Sequence, residues 1–278
     1  MGISNSSRRS FLSAPALAMA AFNLRVASGD DVGNIKLGIA SYSVRHFPRA
    51  EAIRIIQRLG VKYVNIKSDH LPLESTPDQI RKARAEFEGA GLVIVGGGTI
   101  SFLKDDEADM RSKFEYARLA HMPLIVCSPT KITLPKLEKF VREYDIRIAV
   151  HNHGPKSDFP APQDALQILN NMDPRCGVCI DVGHTAQAGI DPVQAIRVSS
   201  ARLFDMHIKD MRVFGDVNTQ CDVGDGVLPI AGIFRELKNT GYSYCVNLEY
   251  EIDETDPFIG MARSYAYMKG LLRGLEHF

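Results

Sequence analysis

Short apolar runs and longer amphipathic segments alternate along this chain eight times, with a repeat of about 30 residues. The first run, "IKLGIASYS", is followed by helical "PRAEAIRIIQRL", which Gly60 stops. "VKYVNIK" precedes a helix that Thr76 can cap and Pro77 can open. "LVIVGGG", "PLIVCSP" and "IRIAVHNH" are the next strand-like runs, each leading into a helical pattern. "CGVCIDVGH", "RLFDMHIKD" and "YCVNLEYE" complete the eight, and Asp191 with Pro192 marks the start of one more helix. Strands without strict polar alternation fit a parallel sheet buried on both faces. Eight such units predict a (β/α)8 barrel, and 278 residues that are 45% hydrophobic suffice to close one as a single domain. An open doubly wound sheet is the competing architecture. It lacks its Gly-rich fingerprint here, since no GxGxxG follows the first strand and "VGGGTI" is a poor match.

The N-terminus is different in kind. "SSRRSFLSAPALAMAAFNLRVASGDD" carries Arg8-Arg9, then an Ala-rich, weakly apolar stretch and small residues around Ala27. This resembles a twin-arginine export signal, so residues 1–30 read as a leader and 31–278 as the barrel, in a periplasmic or otherwise exported protein. Lys+Arg and Asp+Glu both total 33, which argues against nucleic acid as a partner. No run reaches the length of a membrane span. Cysteine gives no disulfide framework. The pair Cys176 and Cys179 lies on a strand, where residues three apart face opposite ways, and packing roles are expected.

Chemistry concentrates where strands five to eight end. His151, Asn152 and His153 close the fifth; Asp181 closes the sixth, with His184 beyond it. His207, Lys209 and Asp210 close the seventh, and Glu249 and Glu251 the eighth. Strands one to four offer less: Tyr42, Lys67 and Ser128. Active-site groups of such barrels project from the C-terminal ends of strands. A lone histidine there is usually just hydrogen-bonded, and a lone aspartate usually caps a helix. Four such residues on adjacent strands point instead to a divalent metal centre of His151, Asp181, His207 and Glu249. Two imidazoles with two carboxylates suit Mn²⁺, with Zn²⁺ or Co²⁺ as alternatives. His46, His70, His121 and His277 are read as ordinary structural histidines.

The motifs "HNHG", "DVGH", "HIKD", the "GDG" of "DVGDGVL" and "LEYE" occur in an order that resembles the sugar phosphate isomerase/epimerase family. These are the xylose isomerase-like TIM barrels, which also include endonuclease IV, and the likeness to exported members is closest. The resemblance implies that Asp181, His207 and Glu249 are metal ligands, with the fourth at residue 151, and that His184 contacts substrate oxygens. Epimerases of the family usually place glutamate where His151 stands, so only Glu249 remains of the pair that exchanges protons on opposite faces. The first expectation is a metal-dependent isomerase or epimerase acting on a sugar or keto-sugar through an enediolate. Glu249 would be the base, with Lys209, His153 or His184 delivering a proton. The alternative is a lyase or dehydratase on 3-keto-sugars or inososes; a non-catalytic sugar-binding barrel is a third possibility, while DNA hydrolysis fits the neutral chain poorly. A small-molecule sugar is the expected partner, and oligomeric state is not legible.

Export is testable directly. Replacing Arg8 and Arg9 together with lysine should hold the protein in the cytoplasm, whereas wild type recovered from the envelope should begin near Ser28. Fractionation that finds the double variant exported normally would remove the twin-arginine reading.

Overall fold

The computed structural model describes residues 1–2, 31–32 and 34–275. Arg8, Arg9, the cleavage region near Ser28 and His277 lie outside the described residues. The barrel strands are β1 (Ile35–Ala40), β2 (Tyr63–Ile66), β3 (Val93–Phe102), β4 (Leu124–Pro129), β5 (Arg147–His151), β6 (Cys176–Asp181), β7 (Leu203–Ile208) and β8 (Cys245–Leu248). Each pairs in parallel with the next, and β8 pairs back onto β1, where Leu248 stands opposite Ile39. The sheet is therefore closed, with no edge for a doubly wound alternative. Asp31–Val32 adds a short antiparallel strand beside β1.

The helices are α1 (Arg49–Arg58), α2 (Pro77–Gly89), α3 (Glu107–Leu119), α4 (Leu134–Tyr144), α5 (Pro162–Leu169), α6 (Val182–Gln187), α7 (Pro192–Ser199), α8 (Ile230–Asn239) and α9 (Phe258–Leu275). Thr76 caps α2 in a reciprocal box with Gln79, and Asp191 caps α7. Two boundaries differ from the sequence reading. β3 runs on past Gly98 because Ile100 and Phe102 continue to bury alternate side chains. β6 stops at Asp181 rather than His184, because the Asp181 Oδ1 accepts the His184 amide and starts α6 there.

Parity along the strands sorts the residues into two compartments. Ile125, Cys127, Ile148, Val150, Val178, Ile180, Met206, Ile208, Val246 and Leu248 face outward into one apolar layer beneath the helices. Phe87, Phe114, Phe140 and Phe234 fill that layer from the helix side, and truncating any one to alanine should cost roughly 3–5 kcal/mol. The alternate positions face the barrel axis. Leu124, Val126, Ala149 and Cys179 form a smaller cluster there, joined by Phe204, the extra residue where the β6–β7 register shifts between Val178 and Cys179. Cys176 belongs to the outer layer and Cys179 to the inner one, so this CxxC cannot close on a single ion.

Two of the sequence motifs have one structural cause. The loop between β7 and α8 forms a ribbon, Asp210–Met211 against Gln220–Cys221. The Asp210 Oδ1 accepts from the amides of Met211 and Leu228, and its Oδ2 from those of Gly224 and Gly226. A Cβ at Gly226 would meet the Asp210 Oδ1 at 2.1 Å, and Gly224 has φ +102°. "HIKD" and "GDG" are thus the two halves of one loop clasp closed on the buried Asp210. Asp210→Ala should lower unfolding stability by about 1–3 kcal/mol, the range for stranding buried donors. Urea denaturation measures the loss, and hydrogen exchange should rise at residues 222–228. Unchanged exchange there would show that the clasp does not hold the loop.

Candidate metal centre

His151, Asp181 and His207 face the barrel axis by the same parity that sends Val150, Ile180 and Ile208 outward, and Glu249 follows β8 directly. Asp181 stands opposite His207 in the β6–β7 register. Asn152 fixes the junction: its Oδ1 accepts the Asp181 amide at 2.9 Å, and its Nδ2 donates to the Thr185 Oγ1 at 3.1 Å. So "HNH" ends the fifth strand with one residue turned into the site, one locking the neighbouring strand, and one at the mouth.

One ligand atom from each of His151, Asp181, His207 and Glu249 lies within 4.8 Å of the other three. The His151 Nε2 is 3.1 Å from the His207 Nδ1 and 3.7 Å from the Asp181 Oδ2. The His207 Nδ1 is 3.4 Å from the Glu249 Oε2 and 4.0 Å from the Asp181 Oδ2. Donors about 2.1 Å from a central ion stand about 3.4 Å apart at the corners of a tetrahedron. The observed separations bracket that edge. Asp181 divides its carboxylate: Oδ1 caps α6, while Oδ2 is buried in the cluster without a hydrogen bond. Its contact with the Lys209 Nζ, at 3.1 Å, is an ion pair lacking hydrogen-bond alignment.

The protonation states suit cation binding. Burial drives both His151 and His207 below the ordinary imidazole value, so each is neutral with a lone pair to offer. Burial favours neutral carboxyls, but Lys209 beside Asp181 holds that group well below the usual carboxylate range. His207, Lys67 and Lys209 do the same for Glu249. These residues can hold a divalent ion as they stand.

Lys209 corrects the sequence reading. It was expected to deliver a proton, beside Asp210 at the end of the seventh strand. Asp210 is instead engaged in its loop clasp, and the Lys209 Nζ lies 3.1 Å from Asp181, 3.0 Å from Glu249 and 2.6 Å from Glu251. Burial opposes its charge, yet the three carboxylates outweigh burial and hold the amine well above its ordinary value. Lys209 is built as a counter-ion.

His153 and His184 stand at the mouth with their rings 4.2 Å apart, and both line a cavity of about 390 Å³ that reaches His151 and Glu249. Burial lowers His153. The far wall of the cavity carries Tyr42, Ser68, Asp69, Thr99, Ser101 and Ser128. His70 is structural: its Nδ1 meets the Ser41 Oγ at 2.9 Å, and its Nε2 meets the carbonyls of Val44 and Phe47. His46 and His121 sit on the exposed surface beside Glu254 and Glu88.

Sequence reasoning undervalued Lys67, whose Nζ lies 3.1 Å from the Glu249 Oε1. It missed Asn65, Asp205 and Asn247 altogether. Asp205 and Asn247 each lie two residues before a candidate ligand, on the same inward face, and that spacing was the available signal. Burial pushes the Asp205 carboxyl up to about 6.

The profile of the xylose isomerase-like TIM barrel family matches residues 133–271. Inosose dehydratase of Lacticaseibacillus casei is 24% identical over 266 residues, spanning 86% of this chain and 84% of that protein. Among solved structures, the IolI protein with a bound zinc atom gives a TM-score of 0.72 at 16% identity, over 86% of this chain and 98% of its own. An L-ribulose 3-epimerase gives 0.70 at 13% identity, over 87% of this chain and 95% of its own. At these identities the structural likeness is one of fold.

Lys209→Met would leave Asp181, Glu249 and Glu251 facing one another without their shared cation. Stripping one partner from a buried ion pair costs about 3–5 kcal/mol. In thermal unfolding, the variant should melt lower than wild type without divalent ions and gain more on addition of Mn²⁺. Equal gains in the two proteins would argue against the counter-ion role.

Proposed function

The chain belongs to the xylose isomerase-like TIM barrel family, and from that premise we propose that it is a divalent-metal-dependent enzyme acting on a sugar or keto-sugar. The reaction is proton removal next to a carbonyl, completed as isomerisation or epimerisation. The observation that carries this reading is the convergence of two neutral imidazoles and two ionised carboxylates at the closed end of a polar cavity. Mn²⁺ is the ion we favour, with Zn²⁺ or Co²⁺ as alternatives. When bound, the ion supplies Lewis-acid stabilisation of negative charge developing on a substrate oxygen.

The protein's own groups do the rest. Glu249 takes the proton, and its Oε1 is the oxygen turned away from His207, toward Lys67. Lys67 and Lys209 keep Glu249 ionised before substrate arrives. His184 and His153, paired at the mouth, bind substrate hydroxyls and return a proton from that flank. Lys209 holds the carboxylates rather than moving protons. The hydroxyls and Asp69 of the far wall suit a polyol, and among the described residues the lining includes no arginine to seat a phosphate. Passage to the periplasm through the leader is part of the same proposal.

A second outcome has a specific observation behind it. His151 occupies a ligand position with an imidazole, which cannot serve as the second carboxylate base, and inosose dehydratase is among the relatives. One-base chemistry suits β-elimination, in which the carbanion expels a hydroxyl or alkoxyl group instead of being reprotonated.

Incubation with free and 3-keto sugars in D₂O separates these outcomes by NMR. Isomerisation or epimerisation places deuterium in a product of unchanged composition, whereas elimination releases water or an alcohol. Glu249→Gln should abolish turnover and weaken the metal together, by about 10²-fold or more in rate. Turnover surviving in that variant, or in chelator-treated wild type, would sink the proposal.

A further inference from the structure

Below the four donors, on the inward face of β7, Asp205 lies two residues before His207 and is 1% exposed. A carboxylate deep in a barrel demands compensation, because desolvating an ion costs several kcal/mol. Two asparagines provide part of it, one on the adjacent β8 and one on β2. The Asn247 Nδ2 donates to the Asp205 Oδ1 at 2.7 Å, and the Asn65 Nδ2 donates to its Oδ2 at 3.1 Å. The same Oδ2 faces the His207 Nε2 at 3.7 Å. That nitrogen is fully buried and makes no hydrogen bond, while the Nδ1 of the same ring faces Glu249, His151 and Asp181.

A neutral imidazole carries its proton on one nitrogen, and here each nitrogen faces a carboxylate, Nδ1 the Glu249 Oε2 at 3.4 Å and Nε2 the Asp205 Oδ2 at 3.7 Å. If the proton were on Nδ1, an N–H would point at the place where a cation needs a lone pair. A fixed carboxylate on the Nε2 side favours the other tautomer, and a cation taken up at Nδ1 leaves the ring's proton facing Asp205. The contact is at ion-pair rather than hydrogen-bond range, so the preference is electrostatic and strengthened by the dry surroundings.

We infer that Asp205, clamped by Asn65 and Asn247, is a positioning residue that holds His207 with its proton on Nε2 and its Nδ1 lone pair directed at the metal centre. The inference depends on the metal-centre reading above. The competing explanation is that Asp205 merely satisfies two buried asparagine amides.

An exchange variant separates the two. Asn65→Asp combined with Asp205→Asn keeps an acid–amide pair inside the barrel but moves the charge from β7 to β2. Mn²⁺ affinity is measured by chelator competition on full-length protein, with circular dichroism as the folding check. We expect the exchange variant to bind Mn²⁺ about ten- to a hundredfold more weakly than wild type, the usual effect of losing an outer-shell partner. Wild-type affinity in the folded exchange variant would overturn the inference and leave the metal centre standing. Nitrogen-15 histidine NMR of wild type loaded with Zn²⁺ decides the matter even if the exchange variant does not fold. A proton on the His207 Nε2 supports the inference, and a proton on Nδ1 or a metal-bound Nε2 overturns it. A wild type that takes up neither Mn²⁺ nor Zn²⁺ would sink the metal-centre reading and the inference together.

Discussion

Inside a closed parallel barrel, a polar side chain has only other inward side chains to pair with. The strand backbones are already committed to the ladder. In this protein that constraint organises everything at the C-terminal half of the sheet. In the register Cys179 stands opposite Asp205 at a lower inward level, and Asp181 stands opposite His207 two residues further along the same strands; Asn247, opposite His207, reaches down to Asp205, and Glu249 lies beyond it. The lower level is a neutral-to-acidic amide and thiol layer centred on Asp205. The upper level is charged. The transition from packing to chemistry therefore takes one step of the β pleat.

The fold was legible because its signal is repeated. Eight alternations of apolar run and amphipathic helix over-determine a barrel, and an error at one boundary does not propagate to the next. The candidate ligands were legible for a related reason. Parity is fixed by the outward apolar residues, so reading Val150, Ile180, Ile208 and Leu248 as outward makes His151, Asp181, His207 and Glu249 inward. What sequence could not supply was pairing across the barrel. Lys67 reaches Glu249 from β2, and Asn65 reaches Asp205 over a separation of 140 residues. Such contacts depend on barrel closure and strand stagger, which local pattern does not encode. The role of Lys209 was not legible for the same reason: its sequence neighbour Asp210 turns away, and three carboxylates from other strands surround the amine.

The identity of residue 151 governs the electrostatics of the centre. Asp181, Glu249 and Glu251 oppose Lys67 and Lys209, and the neutral imidazoles of His151 and His207 add no charge. The protein thus brings close to its minimum of negative charge to the site. A glutamate in place of His151 would add one more, neutralising part of a divalent ion and supplying a second base. With histidine there, more of the ion's charge is left to attract an anionic form of the substrate, at the expense of base chemistry on that flank. On the proposed reading, the arrangement would trade symmetric proton exchange for a stronger electrophile. That trade makes the histidine pair at the mouth decisive: if His153 and His184 can return a proton, the site isomerises or epimerises, and if they can only bind hydroxyls, the same carbanion must leave by expelling a neighbouring substituent.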